Sequence, residues 1–195
     1  MLDLQFAPDD RFLLSVGRDR RWALFERTGP AQYQPYRCKK EAHARLIWRA
    51  AWAPSASKFA TVSRERDLSV KIWAVPPPAA HDHDHDQEAE GDLIAPLVAF
   101  GYKKTPATAV TFLREDALLV GFENGALALW SAGGELLTEV AETLAHGAQV
   151  TRVLAMRERD GEGEGEGEGE GEGEEQQVAT GSADGSVRVF AVKWK

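Results

Sequence analysis

Four times along this 195-residue chain a short polar turn is followed, six residues later, by an aromatic ring that closes a run of alternating apolar residues. The segments are SVGRDRRWALF (15–25), RERDLSVKIW (64–73), GFENGALALW (121–130) and GSADGSVRVF (181–190). Their turn residues and closing rings are Asp19 with Phe25, Asp67 with Trp73, Asn124 with Trp130, and Asp184 with Phe190. A fixed offset met four times is an internal repeat. Alternation with a period of two, bounded by turn residues, is the mark of short strands with one face toward a core. The chain is therefore expected to be all-β and built of stacked, similar units.

The fullest unit is HARLIWRAAWAPSASKFATVSRERDLSVKIW, from His43 to Trp73. An apolar run (Leu46, Ile47, Trp48) leads to a Pro-Ser turn at Pro54. A second strand follows from Lys58 to Ser63, then a charged turn ending in Asp67 and a third strand from Leu68 to Trp73. With His at its start, Asp in its second turn and Trp at its end, it resembles one blade of a WD-repeat β-propeller. The physical reason for those residues is bracing. A turn Asp accepts backbone N–H bonds and a bond from the His ring, which would otherwise be buried unpaired. The Trp fills the space between neighbouring sheets and offers one N–H. A His/Asp/Ser hydrolase triad is the weaker reading, because repeats of this kind carry the same residues in the same places for packing. His146 occupies the matching place in the last unit. The third unit is degenerate: it has no opening His, and Phe122 and Asn124 stand where the fourth has Ser182 and Asp184.

The blades are expected at about 1–36, 43–100, 107–144 and 146–195. Closing rings lie 48, 57 and 60 residues apart, above the ~40–45 of a compact WD repeat. The excess sits in two inserts, 76–92 and 157–177. Both are too polar to offset their ordering entropy and are expected to be disordered. Outer strands are expected at 29–40, 93–100 and 135–144, and none in blade four. Such a chain leaves sheet edges open at both ends.

Charge has to be read with the inserts set aside. The formal net charge is -8, yet 15 of the 31 acidic residues lie in 81–92 and 160–177, which hold no Lys or Arg. The remainder carries 23 basic residues against 16 acidic ones. Connections in a meander alternate between its two ends, so the second turns share one face. That face is expected to carry Arg18, Arg20, Arg64 and Arg66, with Lys39, Lys40 and Arg45 in the adjoining blade-to-blade loop. These are the candidate partner-binding residues, suited to an acidic protein or nucleic acid. The competing reading is a generally charged surface balanced by acidic loops.

Other features carry less. HDHDHD (81–86) pairs imidazole with carboxylate, both metal ligands. In an extended segment, however, alternate residues point opposite ways with nothing to fix them, and the expected state is a solvated loop. The Gly run at 161–173 lacks the Lys-Ser/Thr ending and the helix of a phosphate loop. Trp22, Trp48, Trp52, Trp73 and Trp130 are expected between blades, and Trp194 is uninformative. No catalytic residue, metal or cofactor is expected. The single cysteine, Cys38, allows no internal disulfide and suits a reducing compartment. No apolar run reaches the ~18–20 residues of a membrane span.

PDDRFLLSVGRDRRWALFER followed by EAHARLIWRAAWAPSASKFATVSRERDLSVKIW is similar to the C-terminal propeller of the WD-repeat subunit family of the Elongator complex. The similarity covers most of residues 1–75 and, loosely, 93–156 and 178–195. It implies two seven-bladed propellers in a much longer chain, of which this sequence would be the last four blades. It also implies a non-catalytic scaffold that joins the largest subunit to the catalytic subunit. That complex places a carboxymethyl-type group on carbon 5 of wobble uridine in tRNA, so tRNA would lie nearby; cytoplasm and nucleus would be the compartments. A generic WD-repeat adaptor of a ubiquitin ligase or chromatin complex is the alternative. A propeller enzyme would need acids and histidines clustered on the inner strands, and LDLQF, WRAAW, AVTF and VTRVL do not supply them.

Overall fold

The computed structural model describes residues 1–66, 68–76, 94–140, 146–156 and 175–194. Within them fifteen strands form four antiparallel sheets, and no residue is helical. Sheet one is β1 (Asp3–Phe6), β2 (Phe12–Val16), β3 (Trp22–Gly29) and β4 (Gln32–Lys39). Sheet two is β5 (Ile47–Trp52), β6 (Lys58–Ser63), β7 (Val70–Ala74) and β8 (Val98–Phe100). Sheet three is β9 (Ala107–Arg114), β10 (Ala117–Phe122), β11 (Leu127–Ser131) and β12 (Leu136–Glu139). Sheet four has three strands, β13 (Val150–Ala155), β14 (Glu175–Ser182) and β15 (Val187–Lys193). Every sheet is a sequential meander. Together they are four blades of a partial WD-type propeller.

Three cores join the four blades in series. Phe12, Leu14, Trp22 and Leu24 of blade one meet Trp52, Phe59 and Trp73 of blade two. Val62, Val70 and Ile72 of blade two meet Phe112, Val120, Phe122 and Trp130 of blade three. Leu119, Leu127 and Leu129 of blade three meet Val150, Val153 and Val178 of blade four. Strand alternation divides neighbours between cores: Ile72 faces blade three while Trp73 faces blade one. Ring contacts cross two of the three seams, Trp22 with Trp73 at 5.6 Å and Phe100 with Trp130 at 4.4 Å between centroids. Each such side chain, fully buried, contributes about 1.5–3 kcal/mol.

This geometry explains the four closing rings. Trp73, Trp130 and Phe190 each face the preceding blade. Phe25 follows the same alternation, but among the described residues no sheet precedes blade one, and its ring stays half-buried outside the three cores. Trp194, which the sequence left without a role, packs on the third core under the Arg114 guanidinium, 5.0 Å from its ring.

The expected boundaries need four corrections. Blade one runs past residue 36, because β4 continues pairing to Lys39, opposite Trp22. Its Pro35 is tolerated because β4 bonds only to β3, at a register shift. Residues 175–177 of the second insert are strand, paired with Lys193, Val192 and Ala191. The outer strand of blade two begins late, since Pro96 has no N–H and pairing starts with Leu97 donating to the Ile72 carbonyl. The outer strand of blade three is shorter than 135–144, and 141–145 lie outside the described residues. So do 77–93 and 157–174, which contain HDHDHD, the Gly run and most of both inserts.

Candidate functional site

The β2–β3, β6–β7, β10–β11 and β14–β15 turns share one end of the blades with the blade-to-blade loops. The loop contacts fix this: the Ile47 N–H donates to the Gly17 carbonyl, and the His146 N–H to the Gly125 carbonyl. Two layers of side chains lie at this end: a buried bracing layer around His43 and His146, and an exposed basic rim.

The bracing layer is a relay in blade two. His43 is buried. Its Nδ1 lies 2.9 Å from Glu65 Oε1, and its Nε2 lies 2.8 Å from Thr61 Oγ1. Trp73 Nε1 donates to the same Thr61 oxygen at 2.9 Å. A carboxylate accepts only, so Nδ1 carries the proton. Nε2 then accepts from the Thr61 hydroxyl, which in turn accepts from Trp73. Every polar group in the chain Trp73–Thr61–His43–Glu65 is satisfied. Burial pushes the His43 pKa down, against the Glu65 hydrogen bond. Burial raises the Glu65 carboxyl, but the bonds from His43 and the Ala44 N–H, with the charge of Lys71, outweigh it and hold it low. The sequence assigned the acceptor to Asp67, which lies outside the described residues. Glu65 is the acceptor seen, and sequence reasoning missed it and Thr61.

Blade four repeats the relay with one member inserted. His146 Nε2 lies 2.9 Å from Thr180 Oγ1, and Nδ1 lies 2.8 Å from Ser186 Oγ. Ser186 Oγ donates to Asp184 Oδ1 at 2.6 Å, and the Gly147 N–H donates to the other Asp184 oxygen at 3.0 Å. The Ser186 bonds, side chain first and then backbone, hold the Asp184 carboxyl down to about 2. Burial lowers His146, helped by Arg188 and opposed by Asp184. Ser182 Oγ donates to the Ala148 carbonyl at 3.1 Å, fastening the turn to the loop. Phe190 has no donor to offer where blade two has Trp73.

Blades one and three lack the histidine. Asn124 Oδ1 accepts the Ala126 N–H at 3.2 Å, so the turn role remains without the relay. Asp19 instead pairs with Arg21 at 2.7 Å. The indole N–H groups of Trp22 and Trp130 enter the core without an acceptor among the described residues.

The rim is basic but partly offset. Arg18, Arg20, Lys40, Arg45, Arg64 and Arg66 are exposed, and Lys39 is half-buried at the end of β4. Arg20 meets Glu41 at 3.0 Å, and Arg64 meets Glu123 across the seam between blades two and three at 3.3 Å. Among the described residues Arg18, Arg45 and Arg66 make no ion pair of their own. Among those residues, too, no three His, Cys, Asp or Glu side chains stand close enough together to hold a metal ion.

No protein-family model matches the chain. Among curated proteins it is similar to Elongator complex protein 2 of Saccharomyces cerevisiae, with 35% identity over 160 residues, 77% of this chain and 19% of that protein. It is 35% identical over 161 residues to the Arabidopsis thaliana protein of the same name, covering 79% and 17%. Against the Dictyostelium discoideum one it is 25% identical over 217 residues, covering 100% and 22%. The chain thus spans about a fifth of the length of the curated relatives it matches.

Proposed function

The chain is a relative of Elongator complex protein 2, and from that premise we propose that it acts as a non-catalytic scaffold subunit of an Elongator complex. The sequence kinship over 77% of the chain carries this reading. Its partners would be the largest and the catalytic subunits, and the output it supports would be modification of wobble uridine in tRNA, in cytoplasm and nucleus. The chemistry of the relays is consistent with this. A general base needs a ring nitrogen open to substrate, whereas both nitrogens of His43 and of His146 are occupied by protein groups under the turns. What the face offers instead is an exposed set of guanidinium groups, suited to acidic surfaces of partner proteins.

Affinity purification of the tagged protein from its own cells tests the reading. The expected result is recovery of the largest and catalytic Elongator subunits in amounts comparable to the bait. Recovery of ubiquitin-ligase or chromatin components in their place would overturn it in favour of a general WD-repeat adaptor.

A further inference from the structure

The inner strands of all four blades share one register position. Asp3 pairs with Val16, Arg49 with Val62, Ala109 with Gly121 and Arg152 with Gly181. Val16, Gly121 and Gly181 each stand three residues before their turn residue, Asp19, Asn124 and Asp184. Val62 stands in the same place in blade two, whose turn is two residues longer. In β5, β9 and β13 a register shift falls immediately before this position. A bulge there twists the strand and re-aims the next side chain. Asp3, Arg49, Ala109 and Arg152 therefore form one ring around the axis. Arg49, Ala109 and Arg152 line a cavity of about 460 Å³ between the inner strands.

The ring holds two guanidinium groups and one carboxylate. Arg49 Nη1 is 3.7 Å and Arg152 Nη1 is 4.0 Å from the same oxygen, Asp3 Oδ1. Both distances exceed a hydrogen bond. Asp3 is meanwhile committed elsewhere: its Oδ2 accepts the Ala50 N–H at 3.1 Å, and Gln5 Nε2 reaches both oxygens at 3.2 and 3.3 Å. Arg49 makes one long bond, 3.4 Å, to the Leu2 carbonyl. The Asp3 side chain is 5% exposed, Arg49 28% and Arg152 51%. A buried carboxylate thus lies beside two arginines that line the cavity, without a hydrogen bond to either. Burial and the charge of Arg152 lower the Arg49 pKa, with Asp3 opposing, as expected for like charges facing each other.

We propose that the Arg49–Arg152 pair, with its charge only partly offset by Asp3, is a binding site for a carboxylate side chain of a protein partner that reaches into the cavity from the basic rim. Two planar guanidinium forks can hold one carboxylate with parallel N–H···O bonds. The ring carries one surplus positive charge, which a carboxylate neutralises. A terminal phosphate would exceed it, and a phosphodiester cannot present its charge as the tip of a side chain. The inference rests on the register and contacts of this ring and stands independently of the kinship reading.

Fluorescence anisotropy of the whole chain with a fluorescein-labelled tetraglutamate peptide tests it. The expected result is saturable, salt-sensitive binding that weakens about tenfold or more in Arg152→Ala. It should be partly restored in Arg152→Lys, and tightened in Asp3→Asn, where the competing carboxylate is gone while the Ala50 bond is retained. Lys193→Ala, which removes an exposed cation outside both the rim and the ring, should change the affinity by less than about twofold, or ~0.4 kcal/mol. Thermal melts of each variant separate loss of binding from loss of fold; Arg152 is half-exposed, so its variants keep the fold. Equal weakening by Lys193→Ala and Arg152→Ala would overturn the proposal, as would no binding, or tighter binding of a labelled single-stranded RNA at the same arginines.

Discussion

The hydroxyl of Thr61 bonds to two buried donors-or-acceptors at once, Trp73 Nε1 and His43 Nε2. Thr61→Val keeps the shape and removes the oxygen, leaving both groups unsatisfied. The expected loss is about 2–4 kcal/mol, one desolvation penalty for each orphan. Thr180→Val orphans His146 alone, because Phe190 has no N–H, and should cost about half as much. Denaturant melts of the two variants check the ratio. The histidines also set a pH dependence. Both have folded pKa values lowered by burial from 6.5. Below 6.5 the unfolded chain binds protons that the folded chain refuses, so stability is full above about 6.5 and falls as pH drops through the folded values. The melting temperature should therefore decline between pH 7 and 5, and the decline should be shallower in His146→Gln. A melting temperature flat across that range would contradict the relay.

At the scale of the element, blades are fitted to one another through their turns. Gly125 has φ +86°, and a Cβ there would collide with the His146 carbonyl oxygen at the entry to the next blade. Gly185 has φ +82° but open space around it. Gly185→Ala should cost only the left-handed backbone penalty, about 1–2 kcal/mol. Gly125→Ala adds a backbone clash at a blade seam and should cost clearly more, which thermal melts will show. Arg20 takes the same left-handed turn position in blade one, at φ 64°. Arg20→Gly relieves a strain of about 1 kcal/mol and adds a similar chain entropy, so its stability should stay within about 0.5 kcal/mol of the parent. The strands, turns and closing rings were legible in the sequence because a period of two and a six-residue offset are local. Glu65 was not, because the two extra residues in its turn shift the acceptor away from the repeat position. Nor was the Asp3–Arg49–Arg152 ring: the bulges that align it offset the inner strands, and its members lie in three blades.

For the whole molecule, the central proposition is that these blades hold partners and perform no reaction. Arg20 and Arg64 pair with Glu41 and Glu123 at exposed sites, and such pairs contribute about 0–1 kcal/mol. Replacing Arg18, Arg20, Arg64 and Arg66 by Glu should therefore leave the fold intact while reversing the charge of the rim. The most direct measurement is made in cells whose own protein carries this fourfold replacement. Recovery of the assembled complex and the level of modified wobble uridine in tRNA are quantified side by side. The account predicts that both fall together while the melting temperature of the purified chain is nearly unchanged. Loss of modification from a fully assembled complex, or no change in either quantity, would contradict it.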